Sequence, residues 1–298
     1  MVDQLVRAAA ADGGIRAVGV ITTRLVEEAR SRHGLSYVAT AALGRAMTGA
    51  LLLASSMKQR QARVNLRIQG NGPLGEVFVD AGVDGTVRGC VSNPSTELPL
   101  NTVGKLDVGK AVGHDGFLYV IRDIGYGYPY SSTVELVSGE IGDDITYYLA
   151  ASEQTPSALI LGVFVDSSGV TAAGGLLIQV MPKASEDEAL VELLESRVSH
   201  LTGFTPLLQA GKSLPQIFEE LLGDMGLVIF PETQMLQFQC KCSNNRMLGA
   251  LKLLGVDELQ DMIQTDNGAE VTCDLCGEKY QATRQELHKL VQELQKEA

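Results

Sequence analysis

The chain has no tryptophan, and aromatic residues make up only 5% of its 298 positions. Binding of single-stranded nucleic acid relies on aromatic faces for the bases to stack on, so no such platform is expected. Positive charge is also in deficit, with 24 Lys and Arg against 36 Asp and Glu, a net of −12. The deficit covers the whole chain: 14 basic and 17 acidic residues over 1–180 (net −3), 3 and 8 over 181–230 (net −5), and 7 and 11 over 231–298 (net −4). A surface that neutralises phosphates is basic, so no nucleic-acid partner is expected. No stretch reaches the roughly eighteen unbroken apolar residues of a membrane helix, and no membrane partner is expected. No apolar run follows a basic start, so no secretory signal is expected. Cysteine is scarce and odd in number, at five. With no export signal, that count suits a reducing, cytoplasmic compartment.

Four of the five cysteines stand in two tight pairs, Cys240-Lys241-Cys242 and Cys273-Asp274-Leu275-Cys276, separated by the thirty residues Ser243 to Thr272. Two turns that each present two thiols suit one tetrahedral zinc ion per chain. Zinc takes thiolate, which is also the form that oxidants attack. The four residues therefore read either as a structural staple or as a redox sensor. His288 lies in the same region, but four thiolates already close the shell. Cys90 stands alone in a Val-rich stretch and reads as a small buried hydrophobe.

Composition is that of an ordinary globular protein, 45% hydrophobic and 20% charged, and the length favours about two domains. Residues 1–180 read as one α+β domain with a mainly antiparallel sheet and packed helices. Strands are expected at Ala17–Thr23, Val64–Gln69, Glu76–Asp80, Thr86–Val91, Gly116–Asp123, Ser132–Val137, Leu159–Asp166 and Leu176–Met181. Helices are expected at Arg24–Arg32, capped by Thr23, at Tyr37–Met57, and at Ile141–Ala151. Residues 181–232 read as a helical linker. Ser185 to Glu188 form a capping box, and Leu190, Leu193, Leu194, Val198 and Leu201 recur at helical spacing. Ser213 caps a second amphipathic helix carrying Ile217, Phe218, Leu221 and Leu222. Two such helices cannot make a core alone and must lean on the sheet, the cysteine module, or both. Residues 233–298 read as a small C-terminal zinc-binding module.

Several fragments imitate catalytic motifs without their partners. Ser55-Ser56-Met57-Lys58 has the SxxK spacing but no SDN or KTG follows. Gly211-Lys212-Ser213 lacks the first glycine of a phosphate loop, where Pro206 stands. Gly70 and Gly72 read as turn glycines. His33, His114 and His200 have no acid–nucleophile partners. No convergent catalytic set emerges, and the chain is not expected to be an enzyme.

The order CxC, thirty residues, CxxC resembles the redox-regulated heat-shock holdase family of about thirty-three kilodaltons. So do Arg246–Met262 (RMLGALKLLGVDELQDM), Tyr126–Ser157 (YGYPYSSTVELVSGEIGDDITYYLAASEQTPS) and Gly174–Pro182 (GGLLIQVMP). The resemblance covers essentially the whole chain, departing at Asn245, where Glu commonly precedes the Arg. It implies an ATP-independent chaperone, inactive while Cys240, Cys242, Cys273 and Cys276 hold zinc. Oxidation would pair Cys240 with Cys242 and Cys273 with Cys276, release zinc and unfold the linker. Unfolded client proteins and a second copy of the chain, in an active homodimer, are the partners it implies, with 1–180 as the platform. Two alternatives stay open: an enzyme sited in the glycine-rich N-terminal domain, and a zinc-stapled interaction module without redox control.

Overall fold

The computed structural model describes residues 2–182, 184, 187–201 and 203–297. They form two compact units that meet in sequence at Gln239 and Cys240.

The first unit opens with the hairpin β1 (Gln4–Ala10) and β2 (Ile15–Ile21), then α1 (Thr23–His33) and α2 (Tyr37–Ala54). Next come β3 (Arg63–Gln69), β4 (Val77–Gly82), β5 (Thr86–Val91), the short α3 (Val108–Val112), β6 (Phe117–Asp123) and β7 (Tyr130–Glu135). After α4 (Ile141–Ala151), the long hairpin β8 (Ser157–Asp166) and β9 (Gly169–Val180) follows. The unit ends with α5 (Glu188–Ser199), α6 (Phe204–Gln209), α7 (Leu214–Leu222) and three two-residue strands: β10 (Val228–Ile229), β11 (Gln234–Met235) and β12 (Gln237–Phe238). The second unit holds α8 (Asn244–Lys252), α9 (Val256–Thr265), the hairpin β13 (Gly268–Thr272) and β14 (Lys279–Thr283), and α10 (Arg284–Glu297).

One sheet runs β10-β1-β2-β9-β8, with β11 also on β1, and another runs β12-β5-β4-β3-β6-β7. All pairings are antiparallel except β12 with β5. The α+β class is therefore as expected. Each expected strand forms within two residues at either end, except that β9 begins at Gly169 rather than Leu176.

Helix α2 packs against both sheets, and all its residues are buried except Tyr37 and Arg45. Its length and apolar composition would suffice to cross a membrane, but 89% of it is enclosed by the fold. Small residues make the enclosure possible. A Cβ at Gly44 would lie 2.7 Å from Val26 Cγ1, and one at Gly49 would lie 2.6 Å from Ile145 Cδ1. The hydroxyl of Thr48 is satisfied by the Gly44 carbonyl at 2.7 Å and by Thr22 Oγ1 at 2.9 Å. The helix stops at Ala54, short of the expected Met57. Ser55 and Ser56 turn their hydroxyls onto the carbonyls of Leu52 and Leu53, at 2.6 and 2.7 Å. Those two serines thus end a helix, which is their role in the SxxK look-alike.

The expected Thr23 cap of α1 is not made. Thr22 holds the cap position without a side-chain hydrogen bond. The carboxylate of Asp3 serves instead, accepting from the Arg24 and Leu25 N–H groups at 3.0 and 2.6 Å. A capping carboxylate delivered from another element leaves no local sequence signal.

Both faces of the first sheet are covered, so its central strands read as continuous apolar runs. On the face away from α2 lie the linker helices. Leu194, Phe204, Leu208, Leu214, Ile217, Phe218, Leu221 and Leu222 join Val6, Ile15, Ala17, Leu176, Ile178 and Val180 in one core. The linker helices lean on the first sheet, one of the supports expected for them. Strand glycines make room for them: a Cβ at Gly19 would meet Leu214 Cδ2 at 2.9 Å, and one at Gly174 would meet Phe204 Cε1 at 2.6 Å. Arg197 ties α5 to the end of α7 through the Leu221 carbonyl at 2.7 Å and both oxygens of Asp224 at 2.6 Å. Ser213 caps α7 as expected, with Gln216 Oε1 accepting from its backbone N–H at 2.8 Å.

Two linker details differ from expectation. Leu193, expected on the apolar face, is 42% exposed, while Leu194 is 5% exposed. The partly buried Val191 packs on the core in its stead. Of the expected 185–188 capping box, Ser185 and Glu186 lie outside the described residues. Helix α5 is capped by Asp187, whose carboxylate accepts from the Leu190 N–H at 3.2 Å.

Asp144, fully buried in the first turn of α4, carries a pH dependence. Its Oδ1 accepts from the Val137 and Ser138 N–H groups at 2.8 and 3.2 Å, while Oδ2 has no partner among the described residues. Burial pushes its pKa above the usual carboxylate value against these hydrogen bonds, and Asp143 adds to the rise. The folded state therefore binds this proton more readily than the unfolded chain. The contribution is present in acid and is lost as pH rises through the folded pKa. Asp144→Asn removes the titration and keeps an acceptor oxygen. Its melting temperature should fall less than that of the parent between about pH 4 and about pH 7. Parallel profiles in calorimetry would refute this.

Candidate metal centre

The second unit has a small core of its own: Met247, Leu251, Leu259, Ile263, Ala282, Leu287, Leu290 and Val291. One cysteine pair lies in the segment leading into α8 and the other in the β13–β14 turn. Cys240 and Cys242 lead into α8, where Ser243 is the N-cap and its carbonyl accepts from the Met247 N–H at 3.0 Å. Cys273 and Cys276 occupy the turn of the β13–β14 hairpin. There the Cys273 carbonyl accepts from the Cys276 and Gly277 N–H groups at 3.2 and 2.8 Å, and the Cys273 N–H reaches the Glu278 carbonyl at 2.9 Å. Gly277 sits at φ +69°, a left-handed conformation that glycine adopts without strain. Its place after CxxC is therefore a backbone requirement.

All four sulfurs lie within 4.8 Å of one another. Across the pairs, Cys240 Sγ is 3.8 Å from Cys273 Sγ, and Cys242 Sγ is 3.3 Å from Cys276 Sγ. Metal–sulfur bonds of about 2.3 Å in a tetrahedron set the sulfurs about 3.8 Å apart. The donor set thus fits a single tetrahedral metal ion. Burial pushes the Cys273 and Cys276 thiols above their ordinary pKa, Cys276 strongly so, and Cys276 is only 2% exposed. Without a cation these groups would stay protonated, and a divalent ion reverses that preference.

Tyr280 is a residue that sequence reasoning missed. Its hydroxyl donates to Cys242 Sγ at 3.1 Å, and this hydrogen bond is the main cause of its raised pKa. Such a donor orients a sulfur and tempers its charge. The only signal for it is an aromatic four residues beyond Cys276, on the strand leaving the turn. His288 is exposed and is not among the clustered ligands. Asn245 is an exposed residue of the first turn of α8.

Cys90 belongs to the first unit. Contrary to expectation it is half-buried rather than enclosed. Strand alternation puts Val87, Gly89 and Val91 on the buried face of β5 and leaves Cys90 beside Arg88 on the other. Of the other histidines, His114 and His200 are exposed and His33 is partly buried at the end of α1.

The family model described as Hsp33 protein matches residues 3–283. A 33 kDa chaperonin of Acaryochloris marina is 74% identical, over 100% of this chain and 99% of its own length. One from Synechocystis is 73% identical over 100% and 98%. The crystal structure of the 33 kDa chaperonin of Thermotoga maritima superposes with a TM-score of 0.91 at 39% identity, covering 98% of each chain. With matching folds, matching lengths and a four-cysteine cluster in the second unit, the chain belongs to the Hsp33 family.

Proposed function

We propose that this protein is a redox-regulated, ATP-independent holdase of the cytoplasm. The observations that carry the reading are the convergence of four sulfurs in a small unit and, in the other unit, a linker whose apolar face is held on a sheet. In the reduced state Cys240, Cys242, Cys273 and Cys276 hold one zinc ion as thiolates. Bound zinc supplies the positive charge and the cross-link that keep four thiolates together in a small domain.

Peroxide takes two electrons from each pair of thiolates, forms one S–S bond, and is reduced with two protons to two waters. Following the family, the bonds join Cys240 to Cys242 and Cys273 to Cys276. Each closes a very small loop and restrains the unfolded chain little. The sulfurs are then no longer ligands, and the second unit loses its main restraint. The linker, 181–232, is the conditional element, and its Leu194, Phe204 and Phe218 are the apolar surface that becomes available to unfolding clients. Residues 1–180 are the stable platform for clients and for the active homodimer, and 240–298 carry the switch. The mechanism uses no catalytic residue, membrane or nucleic acid.

The test is light scattering of a heat-denatured client with one sample, reduced and then oxidised, beside its zinc content. Reduced protein should carry about one zinc per chain and leave aggregation unchanged. Oxidised protein should suppress it. Equal activity in both states would favour a zinc-stapled interaction module without redox control. A folded, reduced protein without zinc would sink both readings.

A further inference from the structure

The loop after β5, the strand β8 and the start of α6 enclose a cleft of about 490 Å³, within the size range of small-molecule sites. Leu106, Leu161, Phe164, Phe204 and Pro206 give it apolar walls. Two cations, Arg45 and Lys105, line it, and no carboxylate does among the described residues. Arg45 is the charged interruption of the otherwise buried α2. One of its terminal nitrogens pairs with Glu140, but its Nε is buried and has no hydrogen-bond partner among the described residues. Lys105 is exposed on the loop that contributes to the cleft. With Glu140 counted, the charge around the cleft is +1.

Two cations that line apolar walls, with no carboxylate among the described lining residues, select for an anion carrying an apolar body. We propose that this cleft binds a single-chain alkyl carboxylate, with the chain against Leu106, Leu161 and Phe164 and the carboxylate at Arg45 and Lys105. An alcohol of the same length forfeits the charge-assisted hydrogen bond. An alkylammonium meets like charge, and acetate has no chain to bury. Phe204 and Pro206 belong to the linker, and Leu161 and Phe164 belong to the sheet. Occupancy therefore favours the docked position of α6 by linkage. The inference stands independently of the zinc reading.

The experiment titrates decanoate into the reduced full-length protein by calorimetry, with decanol, decyltrimethylammonium and acetate beside it, and follows hydrogen exchange at 204–209. One decanoate should bind per chain, about tenfold tighter than decanol, the scale of one charge-assisted hydrogen bond. Exchange at 204–209 should slow on binding. Lys105→Glu should weaken decanoate several-fold and decanol little, and Val165→Trp, which fills the cleft, should abolish both. Absence of saturable binding, equal affinity for decanol, or an affinity indifferent to Lys105→Glu would overturn the proposal. The last arm decides even if Val165→Trp fails to fold, because Lys105 is exposed.

Discussion

Replacing Cys276 with Ser should leave the reduced protein with almost no bound metal and with residues 240–298 unfolded, while both large sheets stay protected. Cys276 is the most enclosed of the four sulfurs, and an alcohol is a poor substitute for a thiolate on zinc. A structural zinc site contributes on the order of 10 kcal/mol to the domain it closes. Domains of about sixty residues are marginal on their cores alone, and the eight-residue core of this unit is small. The loss therefore exceeds what the unit holds in reserve. Elemental analysis after dialysis and hydrogen exchange by segment check both halves of the expectation. Cys90→Ser is the control and should retain about one zinc per chain, since Cys90 lies in β5 of the other unit. A Cys276→Ser protein that keeps its metal, or keeps residues 240–298 protected without it, contradicts the assignment.

The second large effect is expected from Leu194→Ser, with Leu193→Ser as its neighbour and opposite. Leu194 is buried in the core between α5 and the first sheet, and Leu193 points away from it. Truncating a buried leucine costs about 2–5 kcal/mol, and placing a hydroxyl there adds to it. The exposed site should change stability by no more than about 0.5 kcal/mol. Ordering α5 already opposes its docking, so the net hold is small. Leu194→Ser should therefore deprotect 188–199 and suppress client aggregation while reduced and zinc-bound. Leu193→Ser should behave as the parent. If Leu194→Ser frees α5 yet stays inactive until oxidised, the linker is not the gate and the switch resides in the cysteine unit.

How much of this was legible in the sequence depends on whether each signal was local. Strand β3 announced itself because Val64, Leu66 and Ile68 alternate with polar residues over one solvated face. The four clustered cysteines were legible because pairs of thiols at these spacings have few other uses. Strand β1, reading QLVRAAA, went unread: three alanines carry no strand preference, and only the sheet around it makes it extended. The strands β10 to β12 are two residues each and exist through their pairing with β1 and β5. Asp3 at the start of α1 and Tyr280 at Cys242 act across the fold rather than along the chain. The wrong choice at Leu193 has a similar origin. Adjacent leucines lie about 100° apart on a helix, and only the position of the sheet decides which of them is covered.

The ends of the linker bear on how the resting state is regained. Its chain leaves the first sheet at the end of β9 and rejoins the same sheet at β10, which pairs with β1 through Ala8 and Ile229. Residues 181–227 are thus a loop clamped at both ends, and releasing α5 to α7 lengthens the loop without setting it adrift. Return to the sheet is intramolecular, at an effective concentration that a tethered segment of this kind raises to roughly millimolar. Recovery should therefore follow first-order kinetics independent of protein concentration. On the proposed function, a client held by the released loop would compete with a sheet that never diffuses away, which would turn binding into release.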